Sequence, residues 1–239
     1  MAINQIIYTN GILTDYKGAQ ETAQEITRLT GIETEIIHNA STPLETAGKI
    51  SALVANGIIH FAAHLLGSEQ AKNVAYKSIQ KAICIWSDIQ VKKDHCAKSL
   101  ASRVSMYLEE NKGESILLVF HSQGTHVGMK ALYDLQDYKD RIHVVALGGM
   151  VRIPENLAET VVNFAHSDDV VSNYVAPVVG PYGERIDIGG GGHSAISYLN
   201  NPSFINYLLS NGVIEEKALI GQDRSFVLES QPSLPLQVC

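Results

Sequence analysis

Three kinds of side chain that cooperate in acyl chemistry follow one another along the chain: Ser122, the pair Asp168 and Asp169, and His193. Each stands just past an apolar stretch. "SILLVF" runs into His121-Ser122, "TVVNFA" into "HSDDVVS", and "ERIDIG" into "GGGHSAISYL". A serine hydroxyl is a weak nucleophile until a neighbouring base removes its proton. Imidazole is the side chain suited to that work near neutral pH. A carboxylate can hold the imidazole in the right tautomer and stabilise the imidazolium that forms. Taken singly, each residue has an ordinary role: a serine before a glycine shapes a turn, an Asp pair caps a helix, and a histidine among glycines is simply exposed. Their occurrence in one order, each at a strand end, points to nucleophilic catalysis.

The elements that must position them follow from periodicity. Ile116 to Phe120 is continuously apolar, as in a strand covered on both faces, whereas Val127, Ala131, Leu132 and Leu135 recur at helical spacing. The chain therefore turns sharply from strand to helix at Ser122. Upstream, "AINQIIY" reads as a strand, residues 16–30 as a helix ended near Gly31, and "TEIIHN" as a second strand. Residues 42–66, 69–86 and 90–111 read as three helices with no strand between them. From Ser115 strands and helices alternate: strand 115–120, helix 123–137, strand "IHVVALGG", a turn at 154–159, strand "TVVNFAH", an irregular segment at 170–178, strand "ERIDIG" and helix 194–210. This alternation predicts an α/β protein with a mainly parallel sheet and helices on both faces. Residues 1–212 read as a single domain with a helical insertion at about 41–112, and residues 213–239 as a C-terminal arm.

"FHSQG", "HSDDVV" and "GGHSAISY", preceded by "YTNGI", resemble the α/β-hydrolase superfamily, in particular its lipase- and esterase-like branch. The resemblance covers about residues 2–210, most of 40–112 excepted, and implies that the superfamily's first two strands are missing. It implies Ser122 as nucleophile and His193 as base. The family pattern Gly-x-x-Asp-x-Val-Val maps onto Ala165 to Val171 and so implies Asp168, rather than Asp169, as the acid. The oxyanion of the tetrahedral intermediate would be held by the N–H of Gln123, the residue after the nucleophile, and by that of Ile12, in the "TNGI" loop. Asn10 and Gly11 would line that loop, Asn10 by orienting it through its amide, although Asn-Gly is also an ordinary turn. His126, one helical turn past Ser122, is a candidate for the substrate pocket. One departure from the usual elbow is Phe120, where a small residue normally stands two before the serine. A phenyl ring there needs a pocket of its own.

Bulk properties narrow the partners. With 18 Lys and Arg against 25 Asp and Glu the net charge is −7, which disfavours nucleic acid. Three cysteines without CxxC spacing, Cys84, Cys96 and Cys239, suggest free thiols in a reducing compartment and no zinc site. The N-terminus shows no secretory pattern, so a cytoplasmic location is expected. "ISALVANGIIHFAAHLL", residues 50–66, is interrupted by Asn56, His60 and His64, and reads as a buried or substrate-facing helix rather than a membrane span. His60 and His64 lack the Glu and third ligand of a metal site, and Gly189–Gly192 lack the lysine of a phosphate loop. No metal or cofactor is therefore expected. Residues 44–86 form either a cap that favours apolar acyl groups or an ordinary core helix. The sequence thus predicts a serine hydrolase acting on a small-molecule carboxylic ester or thioester; the alternative is a catalytically inactive binding protein on the same scaffold.

Overall fold

The computed structural model describes residues 3–11, 14–39, 95–176 and 183–213. The expected helices at 42–66 and 69–86, with His60, His64, Cys84 and Trp86, and the C-terminal arm past residue 213 lie outside these. The described strands are β1 (Ile3–Thr9), β2 (Thr34–Ile36), β3 (Ser115–His121), β4 (Ile142–Leu147), β5 (Thr160–Ala165) and β6 (Arg185–Asp187). They form one sheet in the order β2-β1-β3-β4-β5-β6, with every neighbouring pair parallel.

The helices are α1 (Tyr16–Thr30), α2 (His95–Glu110), α3 (Gly124–Asp134), α4 (Ala195–Leu199) and α5 (Pro202–Ser210). Alternate residues of each central strand face opposite ways, and the two faces are covered separately. On one side Ile6, Tyr8, Leu117, Val119, Val145 and Leu147 pack against Ala23, Ile26 and Leu29 of α1 and Phe204 and Leu208 of α5. On the other, Ile7, Ile116, Leu118, Phe120 and Val144 meet Leu100, Val104 and Leu108 of α2 and Ala131 and Leu132 of α3. All seven residues of β3 are buried, which explains its unbroken apolar run. Burying one such leucine contributes roughly 2 kcal/mol.

Local chemistry sets the element ends. The Asp15 carboxylate accepts from the Gly18 N–H at 2.7 Å to start α1. Gly31 ends it at φ +71°, its N–H bonded to the Thr27 carbonyl. The expected single helix over 194–210 is two. Pro202 brings no N–H to bond back, and Asn201, extended at ψ 131°, caps α5 by accepting from the Ser203 N–H. Helix α3 stops at Asp134, short of the expected 137, and passes into a 3₁₀ segment at Gln136–Arg141. Between β5 and β6 the chain makes a π-helical turn at Val171–Val175.

Because β1 lies between β2 and β3, the connections leaving β1 and β3 diverge to opposite sides. The carboxyl ends of these two strands therefore flank a topological switch point, where ligands gather in open α/β sheets. Ser122 follows β3 and Gly11 follows β1, so both stand at that point.

Candidate active site

Ser122 has φ +54°, the one non-glycine residue with positive φ among those described. A β-carbon makes this conformation costly by roughly 1–2 kcal/mol, so the surroundings must impose it. They do so through the backbone. The Ser122 N–H donates to the Leu147 carbonyl at 3.1 Å, and the Ser122 carbonyl accepts from the N–H groups of Thr125 and Met150 and from the Thr125 hydroxyl. Ser122 is 4% exposed, and its hydroxyl is turned toward the loop after β6.

Close packing completes the turn. A β-carbon on Gly124 would lie 2.3 Å from the Thr9 carbonyl oxygen, so α3 can begin against the end of β1 only without a side chain there. Gly11 is similarly constrained: its β-carbon would meet that of Ser122 at 2.6 Å. Phe120 has its pocket. The phenyl ring is fully buried and lies on Gly128 of α3, where a β-carbon would fall 2.3 Å from the ring. The usual small strand residue is thus replaced by a bulky one, and the helix facing it supplies the missing space.

The Ser122 Oγ lies 2.8 Å from His193 Nε2, and His193 Nδ1 lies 2.9 Å from Asp169 Oδ2. Asp169 is completely buried, whereas the His193 side chain is 33% exposed, so the imidazole borders solvent while its carboxylate partner does not. Asp169 Oδ1 accepts from the Val171 and Ser172 N–H groups at 2.8 and 3.3 Å. Its Oδ2 also accepts from the Tyr198 hydroxyl at 2.6 Å. Burial raises the affinity of Asp169 for a proton, but the bonds from His193 and Tyr198 outweigh it and hold the carboxyl below its ordinary range. An ionised carboxylate only accepts, so Nδ1 of His193 carries the proton and Nε2 presents a lone pair to the serine hydroxyl.

The expected acid, Asp168, does not face His193. It is exposed, and its Oδ1 accepts from the N–H groups of Gly191 and Gly192, each at 2.9 Å. Those bonds, that of Gly192 first, hold its carboxyl below the ordinary range. Adjacent side chains in this turn point to different surroundings, and only that of Asp169 points inward.

His121, the residue before the serine, reaches the His193 loop. Its Nε2 donates to the His193 carbonyl at 2.8 Å, and the two rings lie 4.9 Å apart. Burial first, and the neighbouring His193 second, push the His121 imidazole down to about 4, so near neutral pH it is an uncharged prop.

Gln123, 7% exposed, follows Ser122 with helical φ and ψ, and its backbone N–H donates to no acceptor among the described residues. The second expected donor, Ile12, lies outside the described residues. Asn10 is buried with its amide already engaged. Its Nδ2 bonds the carbonyls of Gly11 and Asn39 at 2.8 and 3.2 Å, and its Oδ1 accepts from the Asn39 N–H at 2.8 Å. Asn10 therefore fixes the loop rather than offering its amide to a substrate. Asn39, which no motif flagged, continues the network by donating to the Gln123 side-chain oxygen at 3.2 Å. His126 is half-buried in the first turn of α3, its N–H bonded to the Gln123 carbonyl, and is not a member of the serine–histidine–aspartate chain.

Among the described residues, no group of three or more His, Cys, Asp or Glu is arranged to hold a metal ion, and no helix is long and apolar enough to cross a membrane. Compared with protein-family models and with curated proteins, the chain matches no family model and no curated protein.

Proposed function

We propose that the protein is a serine hydrolase of the α/β-hydrolase type, cleaving a carboxylic ester or thioester through an acyl-Ser122 intermediate. The observation that carries this reading is the continuous hydrogen-bonded chain from Ser122 Oγ through His193 to buried Asp169, on a serine held at φ +54°. The strand order, with the serine at the switch point, agrees with it.

In the proposed reaction His193 Nε2 takes the Ser122 proton as Oγ attacks the acyl carbon. Asp169 stabilises the resulting imidazolium. The oxyanion is met by the Gln123 N–H and by a second N–H from the loop past Gly11, for which Ile12 is the candidate. Each such donor is worth about 10²–10³ in rate. The imidazolium then protonates the departing alcohol or thiol, and the reverse sequence with water releases the acid. An apolar or acyl group in the substrate would fit if residues 44–86 form the expected cap rather than a core helix.

Intact-mass analysis after treatment with a fluorophosphonate tests the reading. One adduct per chain is expected on the wild type and none on Ser122→Ala, with His193→Ala reacting at least about 10³-fold more slowly. A folded wild type that takes no label would count for the alternative, a binding protein on the same scaffold.

A further inference from the structure

Tyr198 lies on α4, five residues past His193, and its side chain is completely buried. Its hydroxyl has two partners at short range. The His166 N–H points at it from 2.9 Å, and Asp169 Oδ2 lies 2.6 Å away. A backbone N–H can only donate and an ionised carboxylate can only accept, so the hydroxyl proton must lie on the Asp169 side. Burial, reinforced by the adjacent carboxylate, raises the phenol far above its ordinary range, so the proton stays on Tyr198. The oxygen that receives this proton is the same Oδ2 that receives the Nδ1 proton of His193.

The ring is held as firmly as the hydroxyl. His166 stacks on it with centroids 3.8 Å apart and 16° between planes. His166 Nδ1 in turn donates to the carbonyl of Gly192, the residue before His193. One aromatic pair thus joins the turn that bears the carboxylate to the loop that bears the imidazole.

We infer that Tyr198 is a positioning residue of the catalytic chain: by sharing Asp169 Oδ2 with His193 it fixes the carboxylate toward the imidazole and draws off part of the negative charge that faces it. The second effect is electrostatic. A carboxylate oxygen that already accepts one strong hydrogen bond attracts an imidazolium less than a bare one does. Among the described residues, the groups facing the His193 ring are Asp169 from the turn after β5, His121 from β3 and Ser122. Asp168 faces the glycine N–H groups of the His193 loop, and Tyr198 and His166 stand behind Asp169 and the loop. Of these, Tyr198 is the group that can tune Asp169 without touching the imidazole.

The inference rests on the hydrolase reading for its catalytic meaning, so the test uses one readout that needs no reaction. The pH titration of the His193 ring is followed by NMR of histidine-labelled full-length protein, its signal assigned by loss in His193→Gln. In Tyr198→Phe the titration midpoint is expected to rise by about half a unit to one unit. In a chain with 3-fluorotyrosine at position 198, a stronger donor of nearly the same shape, the midpoint is expected to fall. In parallel, the acid limb of the fluorophosphonate labelling rate should move with the NMR midpoint. On any ester the protein cleaves, kcat should drop about tenfold in Tyr198→Phe with KM changed by less than about twofold. A midpoint that stays put in both variants, or moves the same way in both, overturns the inference, even if Tyr198→Phe loses activity through a looser fold. Should Tyr198→Phe not fold, the fluorotyrosine chain alone decides by the direction of its shift. Opposite shifts in the two variants, with a wild type that takes no label, would sustain the coupling and sink the hydrolase reading instead.

Discussion

Exchanging Asp169 for Asn removes one oxygen's worth of acceptor from a site built entirely of donors. Among the described residues, four groups point at the carboxylate: the Val171 and Ser172 N–H groups at Oδ1, and the Tyr198 hydroxyl and His193 Nδ1 at Oδ2. An asparagine has one carbonyl oxygen. If that oxygen serves Val171 and Ser172, the amide NH₂ faces His193 and takes Nδ1 as its acceptor. The imidazole is then forced into the tautomer with its proton on Nε2, pointing at Ser122, where it cannot act as a base. If the amide flips, the NH₂ instead meets two backbone donors. In the first pose the buried Tyr198 hydroxyl loses its acceptor, and in the second the two backbone N–H groups do, a loss of about 2–3 kcal/mol in stability. A wrong tautomer lowers the rate of such a chain by about 10⁴.

Asp168→Asn is the matched comparison. Its carbonyl oxygen can still accept from Gly191 and Gly192, and the position is exposed, so a rate change of about twofold or less is expected. The assay is the pseudo-first-order rate of fluorophosphonate adduct formation, measured by intact mass, with chemical denaturation run on the same samples. Equal losses in the two variants, or near wild-type labelling by a folded Asp169→Asn, would refute the assignment of the acid to Asp169.

Two further outcomes concern stability. His121 has a folded pKa lowered to about 4 from an ordinary 6.5, so between these values the unfolded chain binds the extra proton. Its contribution is therefore complete above about pH 6.5 and lost as pH falls toward 4, by on the order of 3 kcal/mol. His121→Gln, whose amide can still reach the His193 carbonyl, should flatten that part of the pH–stability curve; a curve parallel to wild type would contradict a neutral buried His121. Gly128→Ala drives a methyl into the Phe120 ring, with the nearest approach at 2.3 Å, and should cost about 1–3 kcal/mol by urea denaturation. Adding Phe120→Leu should recover most of that loss, and strict additivity of the two changes would argue against the complementary pair.

How much of this could be read beforehand depended on whether the signal was local. Helix α1 carries its own cap at Asp15 and its own stop at Gly31, and both ends were legible to the residue. Strand β3 announces its two-sided burial in five consecutive apolar residues. Ser122 was legible as a candidate because it follows β3 directly, and His193 because it stands in the glycine loop that leaves β6. The split between α4 and α5 was also local, in Asn201-Pro202, but the apolar periodicity on either side of it spoke for one helix. Contacts between distant segments left no such trace. Phe120 read as a defect because the space it needs is opened by Gly128, on another element. Asn39 and Tyr198 act only through partners that the fold brings to them, at Gln123 and Asp169.

The two aspartates show why neighbours can be harder to tell apart than distant residues. An Asp at the end of a strand has an ordinary use as a helix cap and a catalytic use as an imidazole partner. On the proposed reading, Asp169 serves both with different oxygens of one carboxylate. Oδ1 takes the N–H groups that open the π-helical turn, while Oδ2 takes His193 and Tyr198. The capping bonds fix the plane of the carboxylate, and with it the direction in which Oδ2 can meet the imidazole. Asp168, with only the glycine loop to hold, lacks that second anchor. If the chain of hydrogen bonds works as proposed, the ordinary role is the means by which the chemical one is aimed, and the residue best placed to orient a base is the one whose other oxygen is already committed to the fold.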